Sequence, residues 1–372
     1  MINVEDFVKY LKNINIDFFT GVPDSQLSSF ADYVEENCEN IIAANEGNAL
    51  AIASGYNLST GNYPLVYLQN SGLGNIVNPV TSLTHSEVYS IPVVYLIGWR
   101  GQPGVHDEPQ HIKQGAITLD LLNLLDIKYT VISNESNFDE LKEIFENDFI
   151  NQLNCGKSVA VVVSKGAFEE YKIKKENNNI LSREKAIQTI VDFLSEKDMV
   201  VSTTGKSSRE LFEYREELKQ GHGNDFLTVG SMGHSSSIAL GVALNNPNKR
   251  IFCFDGDGAI LMHMGSLALI GSMKPKNFHH VMFNNSAHES VGGLPTIMSD
   301  IDINEIILAC GYDKVYNAKS IDELKDVLPK FIEDNGPVFL NIDVNLKSRN
   351  DLGRPTTTPL ENKLDFIEKL RS

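Results

Sequence analysis

Short apolar, β-branched runs alternate with helix-compatible stretches along this whole chain, and that alternation limits its fold more than any other feature. In the first half the runs are IDFFTG (16–21), NIIAAN (40–45), YPLVYLQN (63–70), IPVVYLIG (91–98) and KSVAVVVSKG (157–166). Between them lie stretches of helical character, among them Ser25–Glu36, Gly47–Leu58 and Asn137–Asn147. Parallel strands need a crossover and are buried on both faces, so continuous apolar strands separated by helices predict a covered parallel sheet. The pattern stops at YKIKKENNNI (171–180), the most polar stretch, which reads as an exposed linker. It resumes with a helix capped by Ser182 and with strand-like DMVVSTTG (198–205), KRIFCFDGDG (249–258), FHHVMFNNS (278–286) and GPVFLNIDV (336–344). The expected fold class is α/β, with two doubly wound parallel-sheet domains at 1–166 and 183–372 joined by a linker at 167–182. A length of 372 residues is compatible with two or three domains.

Charge and cysteine usage narrow the classes of partner. Lys and Arg number 32 against 49 Asp and Glu, a net charge of −17, which argues against nucleic acid and anionic membrane as partners. No apolar run approaches the roughly 18–20 residues needed to cross a bilayer. The opening MINVEDFVKYL lacks the layout of a signal peptide. Cys38, Cys155, Cys253 and Cys310 are far apart and form no C-x-x-C pair. A reduced, cytoplasmic protein without a cysteine zinc site is expected.

The sharpest chemical signal is Gly256-Asp257-Gly258 at the end of a strand, followed by a helical stretch from Ala259 to about Met273 and a strand ending in Asn284-Asn285. A βαβ unit of this kind puts Asp257 and the Asn pair at the carboxyl ends of neighbouring strands, where open α/β sheets bind ligands. A carboxylate with amide and backbone oxygens is a hard-oxygen set suited to Mg²⁺, and the glycines let main chain approach a diphosphate. Alone, Gly-Asp-Gly is also an ordinary turn. Glu46 follows a strand and opens a small-residue helix; it reads either as a first-turn acid that complements the helix dipole or as a carboxylate in an apolar pocket, where burial would raise its pKa.

Gly256-Asp257-Gly258, then 25 residues, then Asn284-Asn285, resembles the signature of the thiamine diphosphate-dependent enzymes. The resemblance implies that the side chains of Asp257 and Asn285 and the backbone oxygen of Ala287 hold Mg²⁺, and that Gly258 and Ala259 lie against the diphosphate. It implies that Thr203-Thr204-Gly205-Lys206-Ser207 forms the turn that binds the diphosphate, with Ser290 a further cofactor contact. Gly230-Ser231-Met232-Gly233 matches the segment that cradles the aminopyrimidine, with Met232 holding the cofactor bent, although a core methionine is the plainer reading. Glu46 would hydrogen-bond the pyrimidine ring and promote loss of the thiazolium proton, leaving the cofactor carbanion as nucleophile. The resemblance also implies that two chains share each site, hence a homo-oligomer of at least two copies. The middle domain of the larger pyruvate-type decarboxylases is missing.

Within that family, ANEGNALAIASGY, QNSGLGNIVNPVTSL (69–83), GWRGQPGVHDEPQHIKQG (98–115), TTGKSSRELFE, NNSAHESVGGLPT and DLGRPTTTPLENK (351–363) are most similar to the decarboxylases of phosphonopyruvate, and next to those of sulfopyruvate. A small anionic 2-oxoacid is then the implied substrate, and a carboligase or a noncatalytic diphosphate-binding module are the alternatives. An anionic substrate on a chain of −17 demands local cations. Arg100, His106, His111 and Lys113 in the 98–115 loop are the candidates, with His111 also as proton relay and with His85 and His288 behind them. Asp107 and Glu108 in the same loop are odd beside an anionic substrate, and three readings stand: they orient the histidines, they pair with Arg or Lys, or they bind nothing.

Overall fold

The structure, a computed structural model, describes residues 1–372 as two units, Met1–Lys174 and Lys175–Ser372. The division falls inside the polar 167–182 segment. The first unit has strands β1 (Phe18–Gly21), β2 (Asn40–Ile42), β3 (Pro64–Gln69), β4 (Val94–Gly98), β5 (Lys128–Ile132) and β6 (Val159–Val163). The second has β7 (Met199–Ser202), β8 (Asp225–Leu227), β9 (Ile251–Gly256), β10 (Phe278–Asn284), β11 (Lys314–Ala318) and β12 (Val338–Asp343). Every pairing in both sheets is parallel. The first sheet runs β2-β1-β3-β4-β6-β5, and the second, read in the same sense, β8-β7-β9-β10-β12-β11. The two units therefore share one topology, with the order reversing between β1 and β3 in the first and between β7 and β9 in the second.

Period-two alternation explains how each sheet is buried on both sides. In the first unit Leu65, Tyr67, Leu96 and Val161 join one apolar cluster, while Val66, Leu68, Tyr95, Ile97 and Val162 join the other. In the second, Val200, Phe252, Phe254 and Val281 face one cluster, and Val201, Ile251, Cys253 and Met282 face the other. Every residue of β4 and β6 is buried, which is why these strands are continuous apolar runs.

Three strands lie outside the apolar runs of the sequence: β5, β8 and β11. All three are sheet edges. In β5 and β11 only the last residue is buried, so neither needs an unbroken apolar run. Two expectations are corrected. The 98–115 segment is a loop only to Glu108, because Pro109 opens a helix to Leu124 that carries His111 and Lys113. The stretch after Gly258 is two helices, Asp257–Met262 and Gly265–Met273, interrupted at His263 and Met264. Ser182 does cap the helix Arg183–Phe193, accepting from the amide of Lys185.

The joint is tied down on each side. Tyr171 N donates to Ser29 Oγ and Ile173 N to Asp32 Oδ2 within the first unit. Asn177 and Asn179 bond to main chain within the second. Edge strand β8 is held by the helix Lys206–Leu218, where Arg215 forks Asp225 at 2.9 and 3.0 Å with both side chains buried. Burial pushes the Asp225 carboxyl up, and Arg215 offsets part of that shift. Arg215→Met is expected to cost about 3–5 kcal/mol in urea unfolding at neutral pH, because it strands a buried carboxylate, whereas Arg215→Met with Asp225→Leu should recover most of the loss.

Candidate active site

In the second unit the carboxyl ends of β7, β9 and β10 open onto one cleft. Thr203 and Thr204 follow β7, Gly256, Asp257 and Gly258 end β9, and Asn285, Ala287, His288, Glu289 and Ser290 follow β10; all line the cleft. Lys206, Ser207, Met232 and Ala259 complete the set of expected residues on its wall. Gly205 and Gly230 are not on the wall. Gly205, at φ 94°, makes the turn into the helix that starts at Lys206, and Gly230 precedes the tight turn in which Ser231 (φ 53°) and Gly233 (φ 84°) are left-handed. The gathered residues span 203 to 290 in sequence and meet because their strands are neighbours.

The electrostatics suit a cation. Burial pushes the Asp257 carboxyl up to about 6, against the pull of Thr296 Oγ1, which donates to it at 2.6 Å, and of nearby main-chain amides that include Asn285. A carboxylate so far from water is stabilised by a positive ion beside it. Asn285 Oδ1 accepts from Ala287 N at 3.0 Å, so the two residues stand together. A Cβ on Gly256 would meet nothing within 4 Å, which leaves open space at the strand end. A Cβ on Gly258 would come within 3.0 Å of His288 and 3.3 Å of Met232. Carboxylate, amide oxygen and carbonyl oxygen are hard donors that fit Mg²⁺. Cys253, Asp255 and His280, fully buried between β9 and β10, also bring donor atoms within 4.8 Å of one another, but sulfur and imidazole suit softer ions.

The cations of this cleft are already partnered. Lys206 Nζ donates to Glu289 Oε1 at 3.0 Å and to Ser348 Oγ at 2.7 Å. Arg183, which no sequence signal marked, forks Glu210 and reaches Glu289 as well. Burial alone would raise the Glu289 carboxyl, but Arg183 and Lys206 hold it below the usual range. His288 is driven down to about 4 by burial and is neutral near pH 7, so it offers no positive charge.

In the first unit Glu46 is the first residue of the helix Glu46–Thr60, with Asn45 as N-cap. It is buried, and Asn75 Nδ2 donates to its Oε2 at 2.6 Å. The pocket is therefore not purely apolar. Gly72 is required beside it, since a Cβ there would fall 2.4 Å from Glu46 Oε1.

A separate cleft of this unit, at the ends of β1 and β4, holds Ser25, Gln26, Arg100, His106, Asp107 and Lys165. Asp107 organises it. Arg100 donates to both its oxygens at 2.8 and 2.6 Å, the amides of Gly101 and Glu108 donate at 2.8 Å each, and His111 Nδ1 lies at 2.9 Å. Burial works against Asp107, yet Arg100 and His111 hold its carboxyl well below the usual range. Asp107 thus both pairs with Arg100 and orients His111. Arg100 is consequently no free fork. His111 is buried under the loop, Lys113 is exposed outside the cleft, and His85 contacts Asp126 at 3.3 Å.

Asp24 is a buried carboxylate beside this cleft that sequence reading did not single out. It is fully buried after β1, accepts from Gln26 N at 3.1 Å through Oδ2, and leaves Oδ1 without a partner. Gly98 makes room for it, a Cβ there falling 2.0 Å from Oδ2. Burial pushes its carboxyl up to about 6, with Arg100 the main opposing influence. GVPDSQL carries the usual look of a helix-capping turn, and nothing in it signals that Asp24 is starved of water.

Residues 3–123 match the family described as thiamine pyrophosphate enzyme, N-terminal TPP binding domain, and residues 203–342 match its C-terminal TPP binding domain. The chain belongs to the thiamine pyrophosphate enzymes. It is 34% identical to the phosphonopyruvate decarboxylase of Streptomyces viridochromogenes, over 97% of this chain and 93% of that protein. It is 32% identical to the phosphonopyruvate decarboxylase of Streptomyces hygroscopicus, over 99% and 94%. The sulfopyruvate decarboxylase of Methanosarcina acetivorans is 27% identical over 88% and 87%. The two parallel-sheet domains and the thiamine diphosphate cofactor expected from the sequence are those of this family. No helix is long and apolar enough to cross a membrane.

Asp24 gives a pH signature. Its carboxyl sits at about 6 in the fold and at about 3.9 when unfolded, so folding favours the protonated acid. Its contribution to stability is full below the lower value, declines as pH rises through the folded one, and is a constant penalty above it. Asp24→Asn is expected to remove that slope and to stabilise the protein by about 1–3 kcal/mol at pH 7.5, as read from denaturant midpoints across pH 3.5–8.

Proposed function

We propose that this chain is a thiamine diphosphate- and Mg²⁺-dependent decarboxylase that converts 3-phosphonopyruvate to phosphonoacetaldehyde and CO₂, a step of phosphonate biosynthesis. The observation that carries the reading is the convergence of Asp257, Asn285 and Ala287 in one cleft of a chain that aligns end to end with phosphonopyruvate decarboxylases. Bound cofactor supplies the carbon nucleophile and the electron sink for loss of CO₂. The residues supply placement and protons.

Asp257, Asn285 and the Ala287 carbonyl would hold Mg²⁺, while Thr204, the Gly205 turn, Lys206, Gly258, Ala259 and Ser290 would receive the diphosphate, near helix starts whose first main-chain N–H groups lack intrahelical partners. Gly230 and Met232 shape the seat of the pyrimidine. Glu46 would hydrogen-bond the pyrimidine ring, and Asn75, which donates to its Oε2, fixes the carboxylate. The first-unit cleft takes the substrate: Arg100 and His106, with Lys165, face its anionic groups, and His111, oriented by Asp107, relays a proton. Asp24 lies close enough to neutrality in pKa to deliver the proton that replaces CO₂. Lys113 is the weakest member of the substrate set, since it lies off the cleft wall. The assembly is a homo-oligomer of at least two copies in which each site draws on two chains.

Sulfopyruvate decarboxylation is the second reading, favoured by the 27% relative. Coupled assays with 3-phosphonopyruvate, sulfopyruvate and pyruvate, each with thiamine diphosphate and Mg²⁺, test the proposal. Phosphonopyruvate should give the highest kcat/KM, and the absence of phosphonoacetaldehyde would overturn the assignment. An added aldehyde that diverts product into a new carbon–carbon bond would identify a carboligase instead. Glu46→Gln should still bind thiamine diphosphate in calorimetry but lose about 10²–10⁴-fold in kcat; wild-type turnover would remove Glu46 from its role.

A further inference from the structure

We propose that Asn177, in the segment joining the two units, is a positioning residue for the metal site. The inference rests on the assignment of Asp257, Asn285 and Ala287 as the Mg²⁺ ligands. By sequence KKENNNI is a solvated linker, yet Asn177 Nδ2 donates to the main-chain oxygens of both Asn285, at 3.2 Å, and Val344, at 3.0 Å. Asn179 Nδ2 donates to Val344 O at 2.9 Å, and Asn179 N to Asn177 Oδ1 at 3.3 Å. Val344 N in turn donates to Asn284 O at 2.8 Å. One amide nitrogen outside the sheet thus staples the carboxyl ends of β10 and β12, and it does so on the residue whose side chain is the metal ligand.

The far end of the same loop is gripped from the same segment, since Lys175 Nζ donates to Gly292 O. Between these two points lie Ala287 and Ser290. The loop needs such support. Ser286, between ligands Asn285 and Ala287, is left-handed at φ 55°, a conformation that side-chain-bearing residues adopt only when their surroundings impose it. A rotation of the Asn285 peptide would move its side chain and re-aim the Ala287 carbonyl together. Asparagine is the residue for this task because one nitrogen carries two protons and serves two carbonyls at once. Alanine serves neither, and aspartate turns lone pairs toward both.

Mg²⁺ binding by calorimetry in the presence of thiamine diphosphate, with the melting temperature of the metal-free chain as a second readout, tests the role. Asn177→Ala is expected to weaken Mg²⁺ about tenfold and Asn177→Asp more, the magnitude seen when partners that orient metal ligands are removed, with kcat at saturating Mg²⁺ within about twofold of wild type. Asn179→Ala, which loses only a bond to Val344, should keep wild-type Mg²⁺ affinity and controls for general loosening of the joint. If Asn179→Ala weakens Mg²⁺ as much as Asn177→Ala, or if both Asn177 variants bind as wild type while Asp257→Asn does not, the positioning role is overturned and the metal assignment stands. If Asp257→Asn binds Mg²⁺ like wild type, the metal assignment itself falls, and the inference with it.

Discussion

Because every strand of both sheets runs parallel to its neighbours, helices must cover both faces of each sheet, and polar chemistry has only the strand ends through which to emerge. That constraint places the residues proposed for the site. Thr203, Asp257 and Asn285 follow three adjacent strands of one sheet; Asp24 and Arg100 follow two strands of the other. In each unit the chemistry gathers beside the point where strand order reverses, as the geometry of doubly wound sheets requires. The shared strand order makes these two crevices equivalent places in one architecture. One of them kept hard oxygens and the other an acid, a guanidinium and a histidine.

Charges buried at those ends decide what each crevice can do. Asp107 collects Arg100, His111 and two amides into one fixed group, which holds the loop it governs in a defined shape. Arg183, Lys206, Glu210 and Glu289 form a second such group, joined to Asn285 through Glu289. In both, most of the positive charge is answered within the protein. The net charge of −17 is therefore not simply overruled by a basic pocket, because Arg100, Arg183 and Lys206 are each paired with a carboxylate.

The central strands were legible because double burial writes a continuous apolar run, and β5 and β11 were not, because an edge strand buries little. Gly-Asp-Gly and the distant Asn pair were legible because their chemistry and their spacing are local to two strands. Asp24 was invisible for the opposite reason: its significance lies in lost water, and the neighbours that enclose and oppose it, Gly98 and Arg100, stand far along the chain. The same holds for Arg183 and Asn177, whose partners Glu289 and Asn285 lie 106 and 108 residues further on. A polar run reads as linker when its composition is weighed alone, and as a brace only when its acceptors are known.

Glu289 has a consequence for assembly. Arg183, Lys206 and the amide of Asn285 all converge on its carboxylate, so the cleft carries an anion of its own before any other arrives. With Asp257 and Glu210 added, carboxylates outnumber the cations in this group. On the proposed assignment a diphosphate would meet no surplus of side-chain positive charge here, and a divalent ion beside Asp257 would supply the missing charge.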